Sequence, residues 1–162
     1  MTVKYVVLAE EIEREIENLK QVEEKVHEGV KRSQKHPGER EFYLDSVAMN
    51  LHSYYTGVEN TFRSIASRVD GDVPQGERWH AELLSQMSTP LKEIREKVIS
   101  DKTQIFLREL LGFRHLIRNI YSFHIDEERL LQLCERLQLH SKTLYSELGN
   151  FVEFLKKSGE TS

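Results

Sequence analysis

Apolar positions recur along the chain at spacings of three and four, and polar residues fill the gaps between them. That period is one face of an amphipathic helix, and no stretch shows the strict alternation of a half-buried strand. Over residues 3–34 the stripe is Ile12, Ile16, Leu19, Val22, Val26 and Val30, with Glu/Lys pairs on the outer face. His36-Pro37-Gly38 breaks the pattern, as a proline–glycine pair does. A second helix is predicted over residues 40–69, with Val47, Leu51, Tyr54, Tyr55, Val58, Phe62 and Ile65 inward. Asp70-Gly71-Asp72-Val73-Pro74-Gln75-Gly76 reads as a loop of turn-forming residues. A short third helix over residues 79–87 carries the single tryptophan, and residues 91–99 are expected to be a short helical or irregular stretch.

Ser100 or Asp101 suits the N-cap of a fourth helix over residues 102–123, and Asp126-Glu127-Glu128 opens a fifth over residues 127–157. In the fifth, Leu130, Leu131, Cys134, Leu137, Leu144, Leu148, Phe151 and Leu155 face inward, and residues 158–162 are expected to fray. There is no repeat, low-complexity tract or hinge, so the expectation is an all-α, up-and-down bundle of about five helices forming one domain over residues 1–157.

Composition narrows the picture. A chain of 162 residues can bury a core without staples, and one cysteine excludes a disulfide framework or a cysteine-based zinc cluster within the chain. No apolar run approaches the ~20 residues that cross a bilayer, and the first residues lack the apolar region of a secretory signal. The expectation is a cytoplasmic protein with no membrane role. The net charge of −4 argues against a general nucleic-acid coat, since phosphate neutralisation supplies most non-specific affinity; a local cationic site is compatible with it. The histidines His27, His36 and His140 are scattered without metal-ligand spacing, so no metal or other cofactor is expected. No glycine loop of the phosphate-cradling kind occurs.

The informative segment is Phe113-Arg114-His115-Leu116-Ile117-Arg118-Asn119-Ile120-Tyr121-Ser122-Phe123-His124. At about 100° per residue, Arg114, Arg118 and Tyr121 fall within about 60° of one another, with His115 about 60° to one side of Arg118 and Ser122 between them. Phe106, Leu110, Phe113, Leu116, Ile117, Ile120 and Phe123 form the opposite, apolar face. His124 projects at the edge of that apolar arc and joins the polar face only if the helix ends near Phe123. Cleaving RNA without a metal needs a base for the 2′-hydroxyl proton, an acid for the leaving 5′-oxygen and a fixed cation for the phosphorane. Histidine serves as the first two near neutral pH, and the planar fork of arginine matches phosphate. Elsewhere, His52, Tyr55 and Glu59 share one face of the second helix and fit a buried hydrogen-bonded set better than a cleft lining. Trp79 and His80 fit packing anchors, and Glu10–Glu17 a solvated face.

The segment Leu110-Leu111-Gly112 followed by Phe113–Tyr121 resembles the motif helix of HepT-like proteins in the HEPN superfamily. Residues 44–59, including Asn50-Leu51-His52-Ser53-Tyr54-Tyr55, resemble their second helix, and Asp70–His80 the following loop and short helix. The resemblance runs from Tyr43 to the C-terminus. It implies a HEPN-like helical bundle, a homodimer formed through the 102–123 helix, and a metal-independent endoribonuclease toxin. It also implies an MNT-type nucleotidyltransferase antitoxin as partner. Arg118, Asn119 and His124 match the superfamily pattern of arginine, a polar residue and a later histidine. The usual tyrosine two residues after that histidine is absent, since His124-Ile125-Asp126 stands there and Tyr121 precedes instead. The catalytic candidates are therefore Arg118 with His124 or His115, and the substrate-binding candidates are Arg114, Asn119, Tyr121 and Ser122. The alternative is a non-catalytic bundle that binds a nucleotidyltransferase or a nucleotide.

Overall fold

A computed structural model describes residues 3–119 and 126–161, with side chains described for 3–114 and 126–161. Five helices run in chain order: α1 (Val3–Lys35), α2 (Arg40–Ile65), α3 (Trp79–Met87), α4 (Asp101–Asn119) and α5 (Glu127–Thr161). Among the described residues there is no strand beyond one isolated bridge between Leu91 and Arg95, so the expected all-α bundle is what the chain forms.

Neighbouring long helices run antiparallel. Gly29 of α1 faces Val47 of α2, and Gly57 of α2 faces Glu15 and Leu19 of α1. A Cβ on Gly29 would sit 2.6 Å from Val47 Cγ2, so this glycine sets how closely the two helices approach. Glu23 and Glu13 of α1 reach Tyr145 and Lys156 of α5. Glu109 of α4 pairs with Arg136 of α5. The core is the one the apolar period predicts. Ile12, Ile16, Leu19 and Val26 of α1 are buried, as are Val47, Leu51, Tyr54, Tyr55, Val58, Phe62 and Ile65 of α2. Phe106, Leu107, Leu110, Leu111 and Phe113 of α4 join them, with Leu130 to Leu155 of α5. Burying each such side chain contributes roughly 1.5–3 kcal/mol.

A polar chain stitches α1, α2 and α5 inside this core. Tyr54 donates to the Tyr145 hydroxyl at 2.9 Å, and Tyr145 donates to Glu23 Oε1 at 2.8 Å. Ser141 donates to Glu23 Oε2 at 2.9 Å. Burial pushes both phenols well above their ordinary range, so they stay donors at any ordinary pH.

The ends of the elements follow from local chemistry. Ser100 is the cap of α4: its Oγ accepts from the Thr103 N–H at 3.3 Å, while Glu147 of α5 accepts from the Ser100 N–H at 2.8 Å and the Thr103 hydroxyl at 2.5 Å. Asp126 Oδ1 accepts from the Arg129 N–H at 3.3 Å and opens α5, as expected of an N-cap acid. Two elements differ from expectation. α2 does not continue regularly to residue 69 but widens into a π turn over Ala66–Asp70, closed by Gly71 at φ 77°. α5 continues past Lys157 to Thr161 with Gly159 buried, where a frayed tail was expected.

The π turn meets a partner 25 residues away. It presents Asp70 to Arg95, whose Nε and Nη2 each donate to that carboxylate at 2.7 Å. Nη1 donates to the carbonyls of Thr89 and Glu96 at 3.0 Å, and Nη2 also to Gln86 O at 3.1 Å. All five guanidinium donors are thus satisfied at a side chain of 0% exposure. Val98 and Ile99 donate from their backbone to Met87 O, so the irregular 88–99 connection is folded around Arg95 and delivers the chain to α4.

Candidate functional site

α4 enters the site from the core outward. Phe106, Leu110 and Phe113 are buried, which fixes the rotation of the helix and turns Arg114 toward α2 and α3. Arg114 does not stand on an open outer face. Its side chain is only 13% exposed, and Nη1 donates to Glu59 Oε1 of α2 at 3.1 Å. The other oxygen, Glu59 Oε2, lies 2.6 Å from His80 Nδ1 of α3, at side-chain exposures of 4% and 13%. A spacing that short next to a carboxylate requires the proton on Nδ1, because a bare lone pair would be repelled. Arg114 Nη1, 3.2 Å from the same Nδ1, then lies beside that N–H rather than donating to it.

One carboxylate therefore holds an imidazole and a guanidinium from two other helices. The three residues are separated by 21, 34 and 55 positions, so no spacing rule could have joined them. Tyr55, one turn before Glu59, lies in the same environment. Burial first, and then the charge of Glu59, pushes its phenol well above the usual range. His52, the remaining member of the expected α2 row, is half-buried. The Arg114 Nε is buried and meets no acceptor among the described residues.

The outer wall of this cluster is the start of α3. The Trp79 ring centroid lies 3.6 Å from that of His80, at 30° between planes. The exposed Arg63 guanidinium of α2 lies over the Trp79 ring, 4.8 Å from its centroid. Arg108 of α4 is exposed and donates to Ser85 Oγ of α3 at 2.9 Å. Trp79 thus does pack against the core as expected, whereas His80 is also a charged-network member that sequence reasoning missed.

The other expected site residues fall at the end of α4. His115, Arg118 and Asn119 lie on its last turn by backbone, and their side chains are outside the described residues. Tyr121, Ser122 and His124 lie outside the described residues altogether, as does the expected helix end near Phe123. Among the described residues no group of three or more His, Cys, Asp or Glu side chains is placed to hold a metal ion. None of their helices is long and apolar enough to cross a membrane.

A family model described as HepT-like protein matches residues 46–155. Searches of curated proteins and of solved structures return no match. The matched span covers two-thirds of the chain and includes the whole α2–α3–α4 cluster around Glu59, His80 and Arg114. The chain belongs to the HepT-like proteins of the HEPN superfamily.

Proposed function

We propose that this protein is a HepT-like toxin that acts in the cytoplasm as a metal-independent endoribonuclease and is neutralised by an MNT-type nucleotidyltransferase. The observation that carries the proposal is α4. It lies within the matched span, its sequence resembles the family's motif helix, it holds Arg118, and it is tied at Arg114 to both α2 and α3 through Glu59 and His80. In the reaction, His124 or His115 takes the 2′-hydroxyl proton of the RNA. The resulting oxygen attacks the adjacent phosphorus, and Arg118 stabilises the charge that gathers on the phosphorane oxygens. The 5′-oxygen then leaves with a proton from an acid, and the 2′-hydroxyl requirement restricts the substrate to RNA. In this reading Asn119, Tyr121 and Ser122 contribute to substrate binding, and two copies associate through α4.

The test is cleavage of RNA by purified protein in EDTA. Arg118→Ala is expected to lower the rate by roughly 10²–10³, and whichever of His115→Ala and His124→Ala costs more identifies the acid/base. Full cleavage by Arg118→Ala would remove that residue from the mechanism. A second reading, a non-catalytic bundle that binds a nucleotidyltransferase, draws on the net charge of −4 and the neutralisation of Arg114 by Glu59. It expects co-purification with the transferase and no cleavage by the freed protein.

A further inference from the structure

Several arginines find no carboxylate partner among the described residues, and three of them border one short helix. Arg78 is exposed immediately before α3, Arg63 lies over Trp79 at its first residue, and Arg108 reaches Ser85 on it. Glu77 and Glu82 lie on the same stretch, yet among the ion pairs of the described residues neither is joined to any of the three. By contrast Arg32, Arg40, Arg68, Arg95, Arg114 and Arg136 are all paired with carboxylates. A chain of net charge −4 thus keeps a local surface of unneutralised guanidiniums around the one tryptophan it has.

That combination has a chemistry. A guanidinium over an indole offers a stacking surface, and nucleobases stack on aromatic rings and on arginine planes alike. Nearby guanidiniums without a carboxylate partner accept phosphates, with the release of counterions that makes such binding salt-dependent. The surface adjoins the Glu59–His80–Arg114 cluster directly, because Trp79 packs on His80. Arg108, on α4 itself, joins the surface to the helix that holds Arg118.

We propose that Arg63 and Trp79 form a base-stacking subsite for single-stranded RNA, with Arg78 and Arg108 holding the flanking phosphates. The proposal rests on the ribonuclease reading for its substrate, but the subsite is a binding device and can be tested apart from cleavage. Base identity is read only weakly here, since every base has a face to stack.

Trp79 is the sole tryptophan, so its emission reports this subsite alone. The experiment titrates Arg118→Ala protein with a short single-stranded oligoadenylate RNA. Trp79 emission and the anisotropy of a labelled copy of the RNA are followed together. Saturable quenching of Trp79 that tracks binding is expected, and adding Arg63→Ala weakens binding about tenfold, in line with losing one stacked base. Arg63→Lys, which keeps charge but not the plane, is expected to recover only part of the loss. RNA binding by anisotropy with Trp79 emission unchanged, or full rescue by Arg63→Lys, overturns the subsite and leaves the ribonuclease reading standing. Quenching that depends on Arg63, in a protein whose wild type cleaves no RNA, upholds the subsite and removes the catalytic reading.

Discussion

Glu59→Gln probes the centre of the site with the least change in shape. The carboxylate is 4% exposed and compensates two groups, the Arg114 guanidinium at 3.1 Å and the His80 Nδ1–H at 2.6 Å. Gln keeps one carbonyl acceptor for Arg114 but presents an amide N–H₂ to His80, and it removes the only negative charge that this guanidinium pairs with among the described residues. Removing one partner of a buried pair typically costs 3–5 kcal/mol. The partners here keep 13% exposure, so the expectation is the lower end, about 3 kcal/mol. For a chain of this length that corresponds to a fall in Tm of roughly 6–12 °C. The measurement is urea denaturation followed by far-ultraviolet circular dichroism and by Trp79 emission, because the tryptophan sits against His80. Arg114→Met and the double variant complete a cycle whose coupling is expected at roughly 1–3 kcal/mol. A loss below about 1 kcal/mol with additive single changes would show that the cluster is solvated and that the geometry does not describe it.

Two further outcomes follow from buried groups outside the site. Asp70→Ala strands the Arg95 guanidinium, 0% exposed, without its carboxylate. It should cost about 3–5 kcal/mol; thermal denaturation reads it, and a shift of only a degree or two would contradict the five-donor accounting. Burial pushes the Cys134 thiol up to about 12, so at pH 8 the thiolate is about one part in ten thousand and reaction with Ellman's reagent should be far slower than in urea-unfolded protein. Because the folded thiol titrates above its unfolded value, its stabilising contribution is full below about pH 9 and is lost as the pH rises. Cys134→Ala should therefore remove about 2 kcal/mol of the stability decline by pH 10.5.

The helices were legible because a single physical signal, the three-and-four spacing of apolar residues, determines both element and buried face. Ile12, Ile16, Leu19 and Val26, and Val47 through Ile65 along the α2 stripe, are buried where that spacing puts them, with Val22 and Val30 half-buried. What was not legible depends on contacts across the chain. The π turn at Ala66–Asp70 exists where Asp70 meets Arg95, and a helical period contains no trace of a residue 25 positions on. The position of Arg114 shows the same limit. A projection down α4 correctly sets it opposite the apolar stripe, but it cannot know that α3 covers part of that polar side. The arginine assigned to an open substrate face is instead enclosed by Glu59 and His80. Glu59 and His80 were each visible as residues, on a half-buried row and after a loop, and only the packing of three helices makes them one group.

Whether that group exists for the fold or for the proposed RNA cleavage can be decided by replacing all of it. A buried ion pair is a poor stabilising device, since well-packed apolar residues of similar volume are often neutral or stabilising by 1–4 kcal/mol. If Glu59, His80 and Arg114 only brace α4, then the triple variant Glu59→Met, His80→Leu, Arg114→Met should fold at least as well and cleave RNA as before. The hydrogen bonding argues otherwise. A network kept for folding alone closes on itself, as Arg95 does with five donors and five acceptors, because every orphaned buried donor carries a desolvation cost. Arg114 is not closed in this way: its Nε is buried and meets no acceptor among the described residues. The expected result is a triple variant with wild-type stability in urea and cleavage lowered at least tenfold, with Arg118 intact. Undiminished cleavage would reduce the cluster to a brace and leave the chemistry to the last turn of α4 and the residues beyond it.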